Sequence, residues 1–417
     1  MAWLLKSVTI VSPGSPLNGA VRDILIENGE IRDIKANLKA GDAETIRIPG
    51  LCVSPGWVDL CADFRDPGEE YKEGLANGLD AAARGGFTHV VTMPGTHPAI
   101  DHRSKVEYIL ARSANHAVRV LPAATMSEKR AGEQLSELYD MQQAGAVLFT
   151  DDQPIERAEL MRRALEYSTS LGALIGSYAC DADLLGKGVM HEGLTSTGNG
   201  LKGIPEMVET IRLQRDLELL RYTGGRMHVM AISTAESVKL IRQAKKDGLQ
   251  VTCSVSANHL FFNDQALEGF DANLKVLPPF RDETDRKALI RAVNDGTIDA
   301  ICSDHRPEDV EHKDREFVRA AFGIGAIEHC FSAALAAGIT AERFVERTAI
   351  APREILGLSA AAIEKGASAD LTLFTPNGAE TIAKGQNISK AWNNPYLGHT
   401  LPGKVHGIIR GPHVVLA

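Results

Sequence analysis

The sequence has few cysteines, few aromatic residues and no long apolar run. Its six cysteines are scattered among 417 residues without a C-x-x-C pair. This argues against a disulfide framework or a zinc ribbon and favours a reducing, cytoplasmic setting. No segment reaches the roughly 20 apolar residues that a membrane span requires. Aromatic residues make up 5% and the formal net charge is −9. We therefore expect neither a nucleic-acid-binding surface nor a membrane-binding one.

Short apolar runs alternate with helix-like stretches through most of the chain. Eight runs occur in order, at residues 56–60, 87–93, 118–124, 146–149, 173–178, 227–232, 250–255 and 299–303. Helical patterns lie between them, for example at 70–84, 103–116, 155–171, 204–221 and 235–246. This pattern predicts an α/β fold with a (β/α)8 TIM-like barrel over residues 54–360. The strand count alone leaves a doubly wound sheet open as an alternative.

Both ends of the chain have the pattern of short strands. Before the barrel these are residues 4–11, 21–27 and 30–34, and after it 370–374, 389–392 and 404–409. Asn28-Gly29 is a hairpin signal between two of them. We expect residues 1–53 and 361–417 to form together a small β-sandwich domain. Within the barrel, Ser233–Glu236 predicts a helix cap, and the Gly- and Ser-rich residues 186–203 predict a loop.

One segment has a recognisable pattern. Ser54-Pro-Gly-Trp-Val-Asp-Leu-Cys-Ala-Asp-Phe-Arg-Asp-Pro-Gly68 resembles the first barrel strand of dihydroorotases, where the family has P-G-F-x-D-x-H-x-H-x-R-x-P-G. Other segments resemble the family in order, including Met93–Thr96, Phe149–Asp152, Ile232–Val238, Ser303–His305 and Gly366–Leu371. The resemblance extends more loosely to allantoinases and hydantoinases. It covers nearly the whole chain and implies an amidohydrolase-superfamily barrel, but fold and ancestry do not establish activity.

The resemblance also implies where a binuclear metal centre would lie, and most of its ligands are replaced. In chain order the positions are Cys61, Asp63, Asp151, Tyr178, Ala231 and Asp304. Four of them are histidines in the family. Asp151 would supply a bridging carboxylate, and Asp304 would be a metal ligand and the base for the hydrolytic water. Alanine has no ligating atom, so we expect no metal or other cofactor, and Asp304 as a catalytic remnant.

A reduced metal site is the alternative. Cys61 and Asp63 keep the two-residue spacing that points both side chains inward, and a thiolate with a carboxylate can bind zinc. One zinc ion held by Cys61, Asp63, Asp151 and Asp304 would make the chain an active dihydroorotase or a related cyclic-amide hydrolase. A site that also uses the inward Cys302 is a further variant, although this thiol would lie one layer deeper. His228 is interpreted as a hydrogen-bonded core residue.

The positions that bind substrate in the family are also altered. Gly95 and Leu277 stand where the family has asparagines. Glu308 would present the wrong charge to an anionic substrate, and Arg306 either offsets that charge or pairs with Glu308. Arg65 matches the family arginine that binds the substrate carboxylate. It is either a remnant of that site or the partner of an aspartate at the barrel mouth, Asp63 or Asp304.

The resemblance therefore favours a catalytically inactive dihydroorotase-like protein of pyrimidine biosynthesis. Noncatalytic chains of this kind lack the H-x-H signature and accompany aspartate transcarbamoylase, which makes this enzyme the expected partner, with homo-oligomerisation as a second expectation. The first alternative is the active hydrolase described above. The second is a sensor of small anions that keeps a pocket around Arg65.

Overall fold

The computed structural model describes residues 2–416, and its centre is a nearly closed parallel barrel. The eight strands are Trp57–Ala62, Phe87–Thr92, Arg119–Ala124, Leu148–Phe149, Leu174–Tyr178, Arg226–Met230, Val251–Ser256 and Ala300–Cys302. Their spatial order follows the chain order. The Asp63 amide donates to the His305 carbonyl at 2.8 Å, next to a parallel bridge between Ala62 and His305. The predicted fold class is confirmed, and the doubly wound alternative is wrong because the order contains no switch point.

Helices alternate with these strands. The longer ones are Leu75–Arg84, Arg103–Ser113, Leu138–Ala144, Ala158–Leu171, Met207–Thr223, Ala235–Lys246 and Glu283–Asp295, and after the eighth strand come Cys330–Ala336, Ala341–Val345 and Ala351–Leu356. Thr234 caps its helix as predicted, because its Oγ1 accepts the amide of Ser237 at 3.0 Å. Residues 186–203 contain the short helix Leu194–Gly198 and the paired strands Met190–His191 and Gly203–Ile204. Within residues 2–416, no helix is long and apolar enough to cross a membrane.

The two chain ends join in one hydrogen-bonded, β-rich sheet. Its strands are Ala2–Ile10, Val21–Glu27, Glu30–Lys35, Glu44–Ile46, Cys52–Pro55, Asp370–Thr381, Thr400–Arg410 and His413–Leu416. Asn28 and Gly29 form the predicted hairpin turn with φ of 51° and 83°. The strand predicted at 389–392 is wrong: this segment is a loop whose Ser389 amide donates to Glu328 at 2.9 Å. The domain limits at 53/54 and 360/361 stay a prediction; the strand Cys52–Pro55 of the terminal sheet runs across the first of them.

An aromatic cluster fixes the barrel against this sheet. Trp57 is fully buried at the start of the first barrel strand. Its ring centroid lies 5.1 Å from Phe331, 4.9 Å from Phe344 and 5.5 Å from Phe374, which belongs to the terminal sheet. Such pairs contribute about 0.5–1.5 kcal/mol each beyond burial. The indole N–H is also satisfied, donating to Ser54 Oγ at 2.9 Å. These contacts hold the base of the barrel against the terminal sheet.

Near the carboxyl end of the barrel, a side chain of the first strand binds the residue that follows the eighth. Asp59, on the first strand, accepts the Ser303 amide at 2.9 Å and also its hydroxyl. Burial raises the pKa of Asp59 to about 6, against the hydrogen bonds from Ser303. This contact joins the first strand to the end of the eighth. The residues that follow both strands, 61–65 and 304–308, consequently meet at one place.

Candidate functional site

The guanidinium of Arg306 lies at the centre of the barrel mouth. Its Nη1 and Nη2 each donate to one carboxylate oxygen of Asp152 at 2.7 Å, and its Nε donates to Asp304 at 2.8 Å. Nη2 also lies 3.6 Å from the sulfur of Cys61. The Arg306 side chain is 17% exposed and the two aspartates are almost fully buried. Burial disfavours the charged guanidinium, but the two carboxylates outweigh this effect and raise the pKa of Arg306 above its ordinary value.

The Cys61 side chain belongs to the same group. Its thiol donates to Asp304 Oδ1 at 3.5 Å. Burial raises the pKa of this thiol well above its ordinary range, so Cys61 is a neutral thiol near pH 7 rather than a thiolate. Cys302 is fully buried, and its thiol faces the carbonyl of Val255 at 3.6 Å. Cys302 thus makes its hydrogen bond within the strand layer, away from Arg306.

Asp63 and Arg65 form a second ion network beside the first. Arg65 Nη1 lies 3.0 Å from Asp63, and Arg65 Nη2 donates to Glu308 at 2.8 Å. Lys72 completes the network, with Nζ 2.9 Å from Glu308 and 2.7 Å from Glu69. Of the two aspartates considered as partners of Arg65 in the alternative interpretation, the structure pairs it with Asp63 and not with Asp304. Arg306, however, does not pair with Glu308, because Arg65 and Lys72 already bind that carboxylate.

The two adjacent aspartates after the fourth strand point in different directions. Asp151 accepts the amides of Met126 and Ser127 at 2.9 Å each and the Ser127 hydroxyl. Burial raises the pKa of Asp151. The carboxylate that faces the barrel mouth is therefore that of Asp152, whose backbone has a left-handed φ of 49°. Sequence comparison selected Asp151 for this position, and the structure places its neighbour there.

Arg130 fills the space at Gly95, where the family has an asparagine. A Cβ built at Gly95 would lie 3.0 Å from Arg130 Cζ. The same guanidinium donates to the carbonyls of Asp151 and Asp152, the latter at 2.9 Å. Arg130 therefore holds the backbone of the segment that carries the mouth carboxylate. No sequence signal singled out this arginine, because it lies 35 positions from Gly95 in an irregular segment.

Three of the altered positions have an apolar or backbone role. Tyr178 and Leu277 pack with Phe322 and Cys180 in one apolar cluster. The Tyr178 hydroxyl donates to the Leu277 carbonyl at 3.2 Å, and burial raises its pKa well above the ordinary value. Ala231 is 5% exposed, and its amide donates to Ser254 Oγ at 3.2 Å. These three positions therefore form an apolar surface and not a set of metal ligands.

The histidines near the barrel core are held by hydrogen bonds. His228 contacts the hydroxyls of Thr252 and Ser254 at 2.9 and 3.1 Å, and burial lowers its pKa to about 3. His305 accepts the amide of Ala326 at 3.1 Å through Nδ1, so its Nε2 carries the proton toward Glu73, 3.5 Å away. Sequence reasoning missed the role of Glu73, whose pKa is lowered by His305 against the effect of burial.

A pocket of about 450 Å³, including its open side, lies above these groups. We call it the mouth pocket; its lining includes Arg65, Tyr178, Leu277, Asp304, Arg306 and Phe322. Within residues 2–416, one group of three side chains lies close enough together to bind a single metal ion. It consists of Glu308, Asp309 and His312, at the rim. There Glu308 is already occupied by Arg65 and Lys72. The six positions expected from the sequence do not converge on one such centre.

Known proteins match the chain over its full length. A family model described as Dihydro-orotase-like matches residues 50–237. A dihydroorotase from Geobacter metallireducens is 38% identical over 100% of this chain and 99% of its own length, and one from Pelotomaculum thermopropionicum is 39% identical with the same coverage. The chain belongs to the dihydroorotase family. The resemblance inferred from the sequence segments is thereby confirmed at the family level.

Solved structures of related enzymes share the fold of this dihydroorotase-family chain. An L-hydantoinase (dihydropyrimidinase) from Arthrobacter aurescens superposes with a TM-score of 0.84 at 22% identity, over 99% of this chain and 96% of that one. A D-hydantoinase gives a TM-score of 0.85 at 20% identity, over 100% and 95%. At this identity the similarity establishes the architecture alone.

Proposed function

We propose that this chain is a catalytically inactive dihydroorotase-like protein of pyrimidine biosynthesis that serves an assembly role with aspartate transcarbamoylase. The observation that carries the first part is the position of Arg306. Its guanidinium bonds to Asp152 and Asp304 and lies beside Cys61. A divalent metal would need the same oxygen and sulfur atoms. The residues present therefore fit an internal guanidinium better than a two-metal centre.

A guanidinium does not supply the chemistry that a metal supplies. It has only hydrogen-bond donors and no position at which water could be ionised. A bound metal lowers the pKa of water from about 15.7 to about 7, which corresponds to roughly 12 kcal/mol. A single carboxylate base contributes about 3–5 kcal/mol. Asp304 also accepts from Arg306, so it could not act as a base without first breaking that ion pair.

The substrate side of the mouth supports the same proposal. The fork of Arg65 is occupied by Asp63 and Glu308, so it is not free to bind a substrate carboxylate. Leu277 contributes an apolar side chain and Gly95 is covered by Arg130. A cyclic diamide bound here would lose polar contacts that it makes with water, without matching ones from the protein.

Metal analysis combined with an activity assay tests the inactive state. Protein purified without chelator should contain zinc well below one ion per chain and should not hydrolyse dihydroorotate. The Geobacter metallireducens relative, prepared in parallel, is the positive control. Near-stoichiometric zinc together with turnover that Asp304→Ala abolishes would contradict the proposal. That result would favour the reduced zinc site of the alternative, with Asp152 in the place that was expected for Asp151.

The partner is proposed from the family resemblance and needs its own experiment. The chain should be mixed with the aspartate transcarbamoylase of the same organism and followed by sedimentation velocity. A faster-sedimenting species containing both proteins is the expected result. The same experiment without the enzyme gives the oligomeric state of the chain. Sedimentation and transcarbamoylase activity that both stay unchanged in the mixture would contradict the assembly role.

A further inference from the structure

A wide cleft lies at the end of the barrel opposite to the mouth pocket. It is formed by the starts of barrel strands, the terminal sheet and the linker between them. Its volume is about 1410 Å³, including its open side, and we call it the basal cleft. Its charged lining includes Arg119, Arg353, Arg410, Glu364, Asp370 and His413. Three arginines thus face two carboxylates, in a chain whose overall net charge is −9.

Only one of these arginines has its charge neutralised by direct contact. Arg353 is buried and lies 2.6 Å from Asp370. Arg119 begins the third barrel strand, is exposed, and makes no side-chain hydrogen bond or ion pair with any described residue. Arg410 donates through Nε and Nη2 to the carbonyls of Ala117 and His116. Its contacts within residues 2–416 are therefore to neutral groups and leave Nη1 unused.

The arginine charges without a carboxylate partner change the pKa values of neighbouring groups in the cleft. Burial is the main effect that lowers the pKa of Arg410; Asp370 opposes it, and Arg119 lowers the pKa further. Burial and the surrounding arginines also lower the pKa of His89 to about 4, against the effect of Asp370. His89 is therefore neutral near pH 7. It bonds to Thr88 Oγ1 through Nδ1 at 2.9 Å, which leaves Nε2 available at the cleft.

The linker adds backbone donors to the same surface. The amides of residues 359–362 make no backbone hydrogen bond in the described chain, and all four residues line the cleft. Consecutive free amides and unpaired guanidinium forks are the groups that bind oxyanions in proteins. Two arginine charges match one phosphoryl group, which carries about −1.5 to −2 near pH 7. A single carboxylate carries only one charge.

We propose that the basal cleft binds a small molecule through a phosphoryl group held by Arg119 and Arg410. The site shares no residue with the mouth pocket, so it is independent of the proposed loss of catalysis and of the proposed partner. The cleft is wide enough for a ligand larger than phosphate itself.

Calorimetric titration with inorganic pyrophosphate at low ionic strength tests the site. We expect saturable binding that weakens about 10- to 100-fold in Arg119→Gln, because a charge-assisted hydrogen bond is worth about 1.5–3 kcal/mol. Arg119→Lys should retain part of the affinity, since it keeps the charge without the fork. Arg319→Gln is the matched control, because this arginine is 77% exposed and lies elsewhere on the surface.

Several outcomes would overturn the proposal. These are no pyrophosphate binding by the unmodified chain, equal losses in Arg119→Gln and Arg319→Gln, or undiminished binding in Arg119→Gln. Succinate that binds as tightly as pyrophosphate would also overturn it, since the cleft would then be a general anion site. Arg119 has no partner to lose among the described residues, so Arg119→Gln should fold normally. Its melting temperature should match that of Arg319→Gln.

Discussion

Arg306 binds Asp152 through two parallel hydrogen bonds of 2.7 Å, across 154 positions of sequence. This bidentate geometry fixes the guanidinium plane and points Nε at Asp304, 2.8 Å away. One guanidinium of the same protein is thereby paired with both carboxylates. The retained acidic residues consequently have a structural use that is independent of metal binding.

Arg306→Met should destabilise the fold by about 3–5 kcal/mol, because it leaves two buried carboxylates without a counterion. Urea unfolding followed by circular dichroism measures the loss. Asp152→Asn in the Arg306→Met background should recover part of it, since one buried charge is then removed. Arg319→Met on the surface should cost less than about 0.5 kcal/mol. A loss in Arg306→Met as small as that of the control would contradict the role assigned to Arg306.

Removing the guanidinium should also expose a soft metal site. Arg306→Ala leaves Cys61, Asp152 and Asp304 facing one another, and a bound Cd²⁺ would deprotonate the thiol despite its raised pKa. The expected sign is an ultraviolet thiolate-to-cadmium absorption band in Arg306→Ala that the unmodified chain lacks. The band should disappear in the double variant Cys61→Ser/Arg306→Ala. The same band in the unmodified chain would mean that Arg306 does not exclude metal.

Dihydroorotate and carbamoyl aspartate should leave the melting temperature of the unmodified chain unchanged. The reason is that Asp63 and Glu308 already occupy Arg65. Glu308→Gln frees one side of the Arg65 fork, so millimolar carbamoyl aspartate should then stabilise the protein. Arg65→Ala/Glu308→Gln is the control and should show no shift. A clear shift in the unmodified chain that Arg65→Ala removes would favour the anion-sensor alternative.

His228 should make stability depend on pH between about 6.5 and 3. Burial lowers its folded-state pKa to about 3, whereas an unfolded histidine titrates near 6.5. In that window the unfolded chain binds one proton more, so stability falls as the pH falls, by up to about 1.4 kcal/mol per pH unit. Melting curves from pH 7.5 to 5 should show a smaller decline for His228→Gln than for the unmodified chain. Equal declines in both would contradict this assignment.

The sequence was sufficient for the barrel and most of the terminal strands, because apolar periodicity and turn residues are local signals. The replaced ligand positions came from the family resemblance instead. It was insufficient for the contacts of the mouth. Asp152 and Asp304 both have left-handed φ, 49° and 47°, and a local twist of this kind decides which of two adjacent side chains faces the pocket. The family resemblance pointed to Asp151 and could not reveal this twist. The sequence left open whether Arg306 offsets the charge of Glu308 or pairs with it. In the structure Arg306 pairs with Asp152 and Asp304, while Arg65 and Lys72 bind Glu308.

The strand predicted at 389–392 failed for a related reason. In this segment the amides of Ser389 and Lys390 donate to acidic side chains, Glu328 and Glu73. These partners are distant in sequence and leave no local signal. Tertiary contacts with barrel residues therefore replaced the ladder hydrogen bonds that a strand would have made.

The loop that replaces this strand also holds the turn that carries Arg306. Asn393 donates to the carbonyl of Arg306 at 2.9 Å and accepts the amide of Glu308 at the same distance. Both ends of the arginine-bearing turn are thus fastened by a residue near the end of the chain. The guanidinium that binds Asp152 and Asp304 is therefore positioned in part by a contact that lies 87 positions further along the sequence.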